Sequence, residues 1–310
     1  MLTGRGETRA LLPSVCRPAG GTPTVGDWVT VCHHNGRILV SEVLTRHTVL
    51  RRVSTHEEHR QQVLAANMDV VFVCFAVRTV NPVLLDALLG VALDSGADPV
   101  LLLNKVDVAT GPELANVQAL LAETDQRWPV VFTSAVTGSG MGEVAALVRP
   151  DRTAVFLGAS GVGKSTMINT LLGCEAARTG RTKVSGEGRH TTSRRELLTV
   201  PGGGAVIDLP GLRSVTPVLD EDLLRQVYED VAEVAARCRF SDCRHDSEPD
   251  CAVRDAVASG QLSADRVERE RRMERAARQQ QLKADKRLAA EAHREVVVRA
   301  KAARRRRRGR

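Results

Sequence analysis

A glycine-rich octapeptide in the middle of the chain constrains the fold more than any other part of the sequence. Residues 158–165 are Gly-Ala-Ser-Gly-Val-Gly-Lys-Ser and match the pattern G-x-x-x-x-G-K-[ST] in full. Glycines in this pattern let backbone N–H groups converge on phosphate oxygens, next to the positive end of the following helix. An ordinary glycine-rich turn does not need Lys-Ser in this position, with a strand before it and a helix at 166–172 after it. The sequence therefore predicts a strand–loop–helix unit that binds phosphate.

Each position of this loop has an expected role. Lys164 should reach the β- and γ-phosphates of a nucleotide, which also makes it a candidate catalytic residue. The Ser165 hydroxyl should ligate Mg²⁺. The residues predicted to contact the nucleotide here are Gly158, Ala159, Ser160, Gly161, Val162, Gly163, Lys164, Ser165 and Thr166.

Four residues upstream of the loop indicate which base the nucleotide carries. Asn104-Lys105-Val106-Asp107 follows a predicted apolar strand and resembles the guanine-recognition motif of Ras-like GTPases. In that motif the carboxylate at Asp107 accepts hydrogen bonds from N1–H and the 2-amino group of guanine, a donor pair that adenine lacks. Lys105 would pack along the base and steady the phosphate loop, and Asn104 would connect neighbouring loops. A strand end capped by Asn and Asp explains the tetrapeptide better when it is taken alone, but the phosphate loop in the same chain reverses that balance.

Two further segments fit a guanine-nucleotide site. Ser134 and Ala135 follow a predicted strand and resemble the element whose backbone N–H contacts the guanine oxygen. Asp208-Leu209-Pro210-Gly211 fits D-x-x-G, in which the aspartate binds Mg²⁺ through water and the glycine N–H contacts the γ-phosphate. A surface Pro-Gly turn is the alternative for this second segment. Its position downstream of the phosphate loop favours the nucleotide site.

The order of these elements is rotated relative to Ras-like GTPases. In those proteins the phosphate loop comes first and the guanine motifs come last, whereas here 104–107 and 134–135 precede 158–165 and 208–211. A chain that is cut and rejoined elsewhere on the surface builds the same sheet. We therefore predict a circularly permuted GTPase domain with GTP or GDP and Mg²⁺ as its ligands.

Together these motifs resemble one family, the circularly permuted GTPases that depend on the small ribosomal subunit (RsgA/YjeQ/EngC). Further marks of the resemblance are the segments at 25–29, 63–69 and 188–192, and the family's DTPG turn appears here as DLPG. The resemblance implies an N-terminal OB-fold, a central GTPase domain and a C-terminal zinc module. It also implies a role in late maturation of the small subunit, which stimulates GTP hydrolysis.

The predicted fold class is α/β. Alternating strand and helix patterns predict a parallel sheet with helices on both faces. An OB-fold needs five strands, and the part before residue 61 is short of a hairpin, so we expect either a truncated barrel or a chain start that lacks residues. The predicted segments are an OB-like β-module at 1–60, the permuted GTPase domain at 61–217, a helical zinc-binding module at 218–262 and a basic helical tail at 263–310.

Hydrolysis is expected to be slow without a partner. Ras-type GTPases have a water-orienting glutamine directly after the D-x-x-G glycine, and this chain has Leu212 there. His190 is a candidate to position the water, although an exposed loop histidine is an equal alternative. Either Thr191 or Thr192 is expected to offer its hydroxyl to Mg²⁺, and the sequence does not decide between them.

A cysteine-rich segment predicts one zinc site. Three thiolates and one imidazole within 14 residues suit a closed tetrahedral structural site, the alternative being free cysteines in a reducing compartment. Arginines at 237, 239 and 244 suggest a phosphate-facing surface around it. The predicted zinc ligands are Cys238, Cys243, His245 and Cys251, while Cys16, Cys32, Cys74 and Cys174 are expected to be buried small residues.

The charge distribution points to RNA. Residues 263–310 hold 18 basic and 7 acidic residues, and their net charge is +11, whereas the rest of the chain has a net charge of −4. We expect the arginine cluster at 304–310 to contact rRNA of the small ribosomal subunit, and the segment at 266–299 with its compensating acids to extend a helix. No apolar run reaches the roughly 18 residues of a membrane span, and the N-terminus lacks a signal-peptide stretch. We expect a cytoplasmic monomer with no membrane partner.

Two other functions remain compatible with the sequence. One is an RNA-binding zinc protein that uses GTP mainly as a structural or sensing ligand. The other is a permuted GTPase that acts on a different RNA target, such as the large subunit or a tRNA. GTP turnover with and without ribosomal subunits distinguishes the three functions.

Overall fold

A computed structural model of the chain describes residues 2–3, 6–12, 19–53, 61–122, 127–174, 195–209, 221–282 and 285. The chain divides into two units. The first contains Met1–Ser54 and Arg60–Val218, and the second contains Thr55–His59 and Leu219–Arg310. Among the described helices, none combines the length and the apolar composition that crossing a membrane requires.

The first unit begins with three short antiparallel ladders, which we call the front ladders. β1 (Leu2–Thr3) pairs with β2 (Gly6–Glu7), β3 (Val29–His34) pairs with β4 (Arg37–Val43), and β5 (Val49–Val53) pairs with β6 (Gln61–Ala66). Isolated bridges also join Leu11 to Leu39 and Ala19 to Glu42. The sequence predicts a turn into a strand at 26–31 and a second strand at 37–40, and β3 and β4 are present there. Closure of these ladders into an OB-like barrel stays a prediction.

A six-stranded sheet forms the centre of the first unit. Its strands are β7 (Val70–Ala76), β8 (Asp98–Asn104), β9 (Val130–Phe132), β10 (Thr153–Leu157), β11 (Glu196–Thr199) and β12 (Ala205–Asp208). Their order across the sheet is β11-β12-β10-β7-β8-β9. Five strands are parallel, as predicted, but β11 runs antiparallel to β12. The strand β11 was not predicted, and it runs antiparallel because the 200–204 link is too short for a crossover and closes a hairpin instead.

Helices cover both faces of the sheet. They are α1 (Pro82–Asp94), α2 (Gly111–Ala122), α3 (Met141–Leu147) and α4 (Lys164–Leu172). Successive residues of β7 point to opposite faces, so Val71 and Val73 join a core with α1, while Phe72 joins a second core with α3 and α4. The helical spacing of apolar residues over 82–94 predicts α1 with its observed ends, and α4 begins two residues before the predicted helix at 166–172.

The second unit is helical in its described part. It contains α5 (Glu221–Val227), α6 (Glu229–Ala235), α7 (Ala252–Ala258) and a long helix at 264–282, α8. Arg266 of α8 is fully buried and donates to both carboxylate oxygens of Asp230, at 3.1 and 3.0 Å, and to the Val227 carbonyl. Its guanidinium also lies over the Tyr228 ring. Because the buried charge is paired and hydrogen-bonded, it is tolerated inside this unit.

Three cysteines outside the metal motif lie among the described residues. Cys74 on β7 is buried, as predicted, but Cys32 and Cys174 are exposed. Cys32 belongs to the two-stranded β3–β4 ladder, most of whose β3 side chains face solvent, and Cys174 follows the end of α4. The expectation of burial was therefore wrong for these two. Cys16 lies outside the described residues.

Candidate functional site

The predicted nucleotide-binding segments meet at one edge of the central sheet. Asn104 ends β8, Ser134 and Ala135 follow β9, Gly158 follows β10, and Asp208 ends β12. These strands are parallel, so their carboxyl ends lie at the same edge. From β7 the chain proceeds to β8 and β9 on one side of the sheet, whereas from β10, which borders β7, it proceeds to β12 on the other side. A reversal of strand order of this kind creates a crevice where ligands bind in open α/β sheets.

The glycines of the phosphate loop allow two close approaches. Gly158 has φ +146° and Gly163 has φ +103°, a backbone region that side chains disfavour. A Cβ on Gly158 would lie 2.3 Å from the Cys74 carbonyl oxygen, and one on Gly163 would lie 2.3 Å from Asn104 Nδ2. The loop therefore needs glycine at both positions to fit against β7 and β8.

The charges of Lys164, in the phosphate loop, and Asp208, at the end of β12, are close enough to interact. Lys164 Nζ donates to the carbonyls of Gly158 at 2.7 Å and Ala159 at 2.9 Å. Burial lowers the pKa of Lys164, and it raises the pKa of Asp208. The carboxylate of Glu196, which is opposite Asp208 in the β11–β12 register, raises the pKa of Asp208 further, while Lys164 lowers it. A cation next to Asp208 would relieve this repulsion, which is the task that the sequence assigned to Mg²⁺.

Asn104 holds three segments together. Its Nδ2 donates to the Val162 carbonyl at 2.8 Å, and its Oδ1 accepts from the Ala135 N–H at 3.1 Å and from Thr133 Oγ1 at 3.3 Å. The side chain is buried together with Thr133 and Ser134. One amide thus joins the end of β8, the phosphate loop and the segment after β9.

Lys105 adds a second link to the phosphate loop. Its backbone adopts φ +67°, and its Nζ donates to the Gly161 carbonyl at 2.6 Å. Asp107 lies two residues farther on, in an exposed 3-10 turn at Val106–Val108. Lys105 therefore reaches from the β8 end to the loop, with Asp107 at the exposed side of the same turn.

The remaining candidates divide between described and undescribed parts of the chain. Ser165 and Thr166 lie half-buried in the first turn of α4. No sequence pattern singles out Thr170, one turn farther along. Its hydroxyl donates to the Ala135 carbonyl at 3.1 Å and so supports the proposed guanine-contacting segment. Candidates outside the described residues are His190, Thr191, Thr192, Gly211 and Leu212.

The four predicted metal ligands form a compact cluster in the second unit. The ligand atoms of Cys238, Cys243, His245 and Cys251 all lie within 4.8 Å of one another. Cys251 Sγ is 3.7 Å from Cys243 Sγ and 3.4 Å from His245 Nδ1, and Cys238 Sγ is 4.0 Å from Cys251 Sγ. A tetrahedral zinc ion with Zn–S bonds of about 2.3 Å separates its sulfur ligands by roughly 3.8 Å. Three thiolates and one imidazole at these spacings fit such an ion.

The segment 238–251, which we call the metal loop, is held in place by two residues that are not themselves predicted ligands and that we call the outer residues. Glu248 accepts from the backbone N–H groups of Arg244, Asp246 and Ser247, at 3.0, 2.8 and 3.1 Å. These bonds, that of Arg244 above all, lower the pKa of Glu248 to about 2. Arg271 of α8 donates to the carbonyls of Arg244 and His245. His245 itself has φ +60°, so these bonds fix a residue in an unfavourable backbone region.

Sequence reasoning missed both outer residues. Glu248 lies inside the motif, and its spacing from Arg244 could have suggested a loop-capping carboxylate. Arg271 is 26 positions from His245 and acts on backbone carbonyls, which leave no pattern in the sequence. Burial lowers the pKa of His245 and so favours the neutral imidazole that a metal requires.

Comparisons with known proteins point to one family. A sequence model of the RsgA GTPase family matches residues 43–217. The chain is 37% identical over 282 residues to a small ribosomal subunit biogenesis GTPase RsgA of Syntrophotalea carbinolica, covering 86% of this chain and 77% of that protein. It is 39% identical over 284 residues to the same-named protein of Opitutus terrae, again covering 86% and 77%.

Solved structures show the same architecture. YjeQ from Thermotoga maritima is 26% identical, with a TM-score of 0.62 over 83% of this chain and 84% of that one. YloQ, described as a circularly permuted GTPase, gives a TM-score of 0.61 at 24% identity over 86% of both chains, a level at which the likeness concerns the fold alone. A circularly permuted order is thus also described for a solved structure of this fold.

Gly163→Ala should weaken nucleotide binding. The added Cβ would collide with Asn104 Nδ2 and place alanine at φ +103°. Strain of about 1–3 kcal/mol corresponds to roughly a 5- to 150-fold loss of affinity. Titration calorimetry with GDP and Mg²⁺ measures this loss. Gly142→Ala in α3, where a Cβ meets nothing within 4 Å, is the matched control, and equal affinities for the two variants would contradict the role of the loop.

Arg271→Gln should weaken zinc retention by about 10- to 100-fold, as loss of an outer-shell contact typically does. The measurement is competition with a chromogenic chelator, and circular dichroism checks that the helices remain. Arg272→Gln removes an exposed arginine on the same helix that pairs with Glu268, so it controls for the change of charge. Zinc affinities that coincide in the two variants would show that Arg271 does not support the metal loop.

Proposed function

Because the chain belongs to the RsgA GTPase family, it is a GTP hydrolase that acts in ribosome biogenesis, and we propose that it assists late maturation of the small ribosomal subunit. In this proposal the subunit binds the protein and stimulates hydrolysis of GTP to GDP and phosphate. The supporting observation is the convergence of three predicted segments on the buried side chain of Asn104.

The guanine base is proposed to bind beside the β8 end. Asp107 accepts from the base N1–H and 2-amino group, while the Ala135 N–H meets the base oxygen. Lys105 packs along the base from its anchor on Gly161. Adenine lacks the donor pair and would leave the carboxylate without partners, so the site selects guanine.

The phosphates and Mg²⁺ are proposed to occupy the loop between Lys164 and Asp208. Mg²⁺, when bound, neutralises charge on the β- and γ-phosphates. Ser165 is proposed as its direct ligand and Asp208 as its ligand through water. The γ-phosphate is proposed to contact Gly211, and the metal is proposed to contact Thr191 or Thr192. The attacking water is proposed to be positioned by His190.

Partner dependence follows from the residue after Gly211. Leu212 has no hydrogen-bonding group and does not orient water as glutamine does. We therefore infer that intrinsic hydrolysis is slow and that docking on the subunit completes the site.

The second unit is proposed to bind one zinc ion and rRNA. Zinc suits three thiolates and one imidazole as ligands. Because four protein ligands leave no open coordination position for catalysis, the site is proposed to be structural. Arg237, Arg239 and Arg244 flank the ligands, and the arginine cluster at 304–310 adds a basic end. The protein in this proposal acts as a cytoplasmic monomer, with an OB-like β-module at its front.

Asp107→Asn should exchange the base preference. An asparagine amide donates where guanine also donates, so GTP loses its partner, whereas the 2-oxo group of xanthine gains one. The expected result is a loss of GTP affinity of at least about 100-fold, near 3 kcal/mol, with gain of XTP binding. Competition binding with a fluorescent nucleotide checks this, and Asp98→Asn, at the opposite end of β8, is the control.

Small subunits should raise the turnover number for GTP, and large subunits should not. Purified protein is titrated with each subunit separately, and phosphate release is measured. Stimulation by large subunits alone would indicate another RNA target. Binding to small subunits without any increase in turnover would favour the RNA-binding zinc protein that uses GTP as a sensing ligand.

A further inference from the structure

The hairpin of β11 and β12 carries one carboxylate on each strand at the sheet edge of the proposed nucleotide site. Its register pairs Glu196, the first residue of β11, with Asp208, the last residue of β12. Side chains paired across antiparallel strands lie on the same face, with Cβ atoms about 4.5–5.5 Å apart. The start of β11 is also fixed, because Arg195 Nη1 donates to the carbonyls of Val63 at 3.2 Å and Leu64 at 3.3 Å. The two carboxylates are therefore held next to each other.

The two carboxylates project to the side of the sheet that α4 covers. Val206 on β12 and Leu198 on β11 pack into the core that contains the apolar residues of α4. Because residues two apart on a strand share a face, Asp208 and Glu196 point to that same side. The first turn of α4 contains Ser165, which is the proposed direct ligand of Mg²⁺. Glu196 thus lies on the same side of the sheet as the proposed metal ligands.

The loop lysine does not neutralise this pair of carboxylates. Glu196 adds to the effect of burial in raising the pKa of Asp208, and the charge of Lys164 offsets the rise only in part. Lys164 Nζ directs its hydrogen bonds to the carbonyls of Gly158 and Ala159. Within the described part of the chain, neither carboxylate forms an ion pair. Two adjacent carboxylates attract a divalent cation more strongly than one does.

We propose that Glu196 is a second carboxylate of the Mg²⁺ site and that, together with Asp208, it binds the ion through water molecules. Mg²⁺ in nucleotide sites keeps several waters and is held by one or two carboxylates in addition to the phosphates. Glu196 is exposed, so its carboxylate stays hydrated and suits contact through water. It is a positioning residue, since it acts on the ion through that water. This inference rests on the proposed function, because the ion is the one that accompanies GTP and GDP.

A carboxylate in this role has opposite effects on GDP binding with and without the metal. With Mg²⁺ present, it favours binding of GDP and the ion together. Without Mg²⁺, its negative charge repels the phosphates and disfavours GDP. The factor by which Mg²⁺ raises the affinity for GDP contains both effects, and GDP raises the affinity for Mg²⁺ by the same factor. A residue that only supports the hairpin would change both GDP affinities in the same direction.

Glu196→Gln should reduce this factor about tenfold, the lower end of the usual effect of an outer-shell residue on metal affinity. GDP affinity in excess chelator and the thermal midpoint of the nucleotide-free protein should be no lower than in the wild type, because a repulsion is lost. Titration calorimetry with GDP, in Mg²⁺ and in chelator, measures the factor. Glu196→Asp keeps the charge and should recover part of it. Glu42→Gln is the control, because it removes an exposed carboxylate from the separate β3–β4 ladder.

The outcomes separate this inference from the proposed function. Wild-type protein whose GDP affinity does not depend on Mg²⁺ would overturn the proposed metal site, and this inference with it. A wild type that depends on Mg²⁺, together with a Glu196→Gln variant that keeps the full factor, would overturn the role of Glu196 alone. A variant with a lower thermal midpoint and weaker GDP binding in chelator, without recovery in Glu196→Asp, would show that Glu196 supports the hairpin and not the metal.

Discussion

The proposed nucleotide site depends on one buried amide. Asn104 is 2% exposed, and its donor and acceptor are both used between segments that are distant in sequence. A buried amide without partners costs about 1–3 kcal/mol, so this side chain favours one arrangement of the three segments over all others. The same contact explains Gly163, because any larger residue would occupy the space of the amide. Lys105 and Thr170 then add bonds that reinforce the arrangement.

Circular permutation leaves this convergence intact, because the convergence depends on where the strands end in space and not on their order along the chain. It does change what is attached to the central strand. β6 ends at Ala66 and β7 begins at Val70, so three residues connect the front ladders to the middle of the sheet. Asn67 fixes this link by donating to the Gly26 carbonyl at 3.0 Å and accepting from the His47 N–H at 2.9 Å. The rotated order therefore ties the ladders closely to the strands of the site.

The sequence predicted those parts whose signals are local. The helix α1 begins at Pro82 after a capping Asn81, and α4 begins within the phosphate loop, so both were placed accurately. The strand β11 and the helix α3 were missed because they are short and depend on tertiary partners. Arg195 and Arg271 were missed for a different reason. Each bonds to backbone carbonyls far along the chain, and any sequence offers such acceptors.

Burial and like charge make the β11–β12 end of the sheet electrostatically unfavourable for the ionised form of Asp208. Asp208 carries a raised pKa and Lys164 a lowered one, chiefly through burial, so each charge is held at a cost. Glu196 increases the cost for Asp208 because like charges across an antiparallel pair repel. A divalent cation offsets this repulsion, and its effect falls with distance in a medium of low dielectric constant. The register of β11 against β12 therefore sets the repulsion between Glu196 and Asp208 that the proposed metal ion would offset.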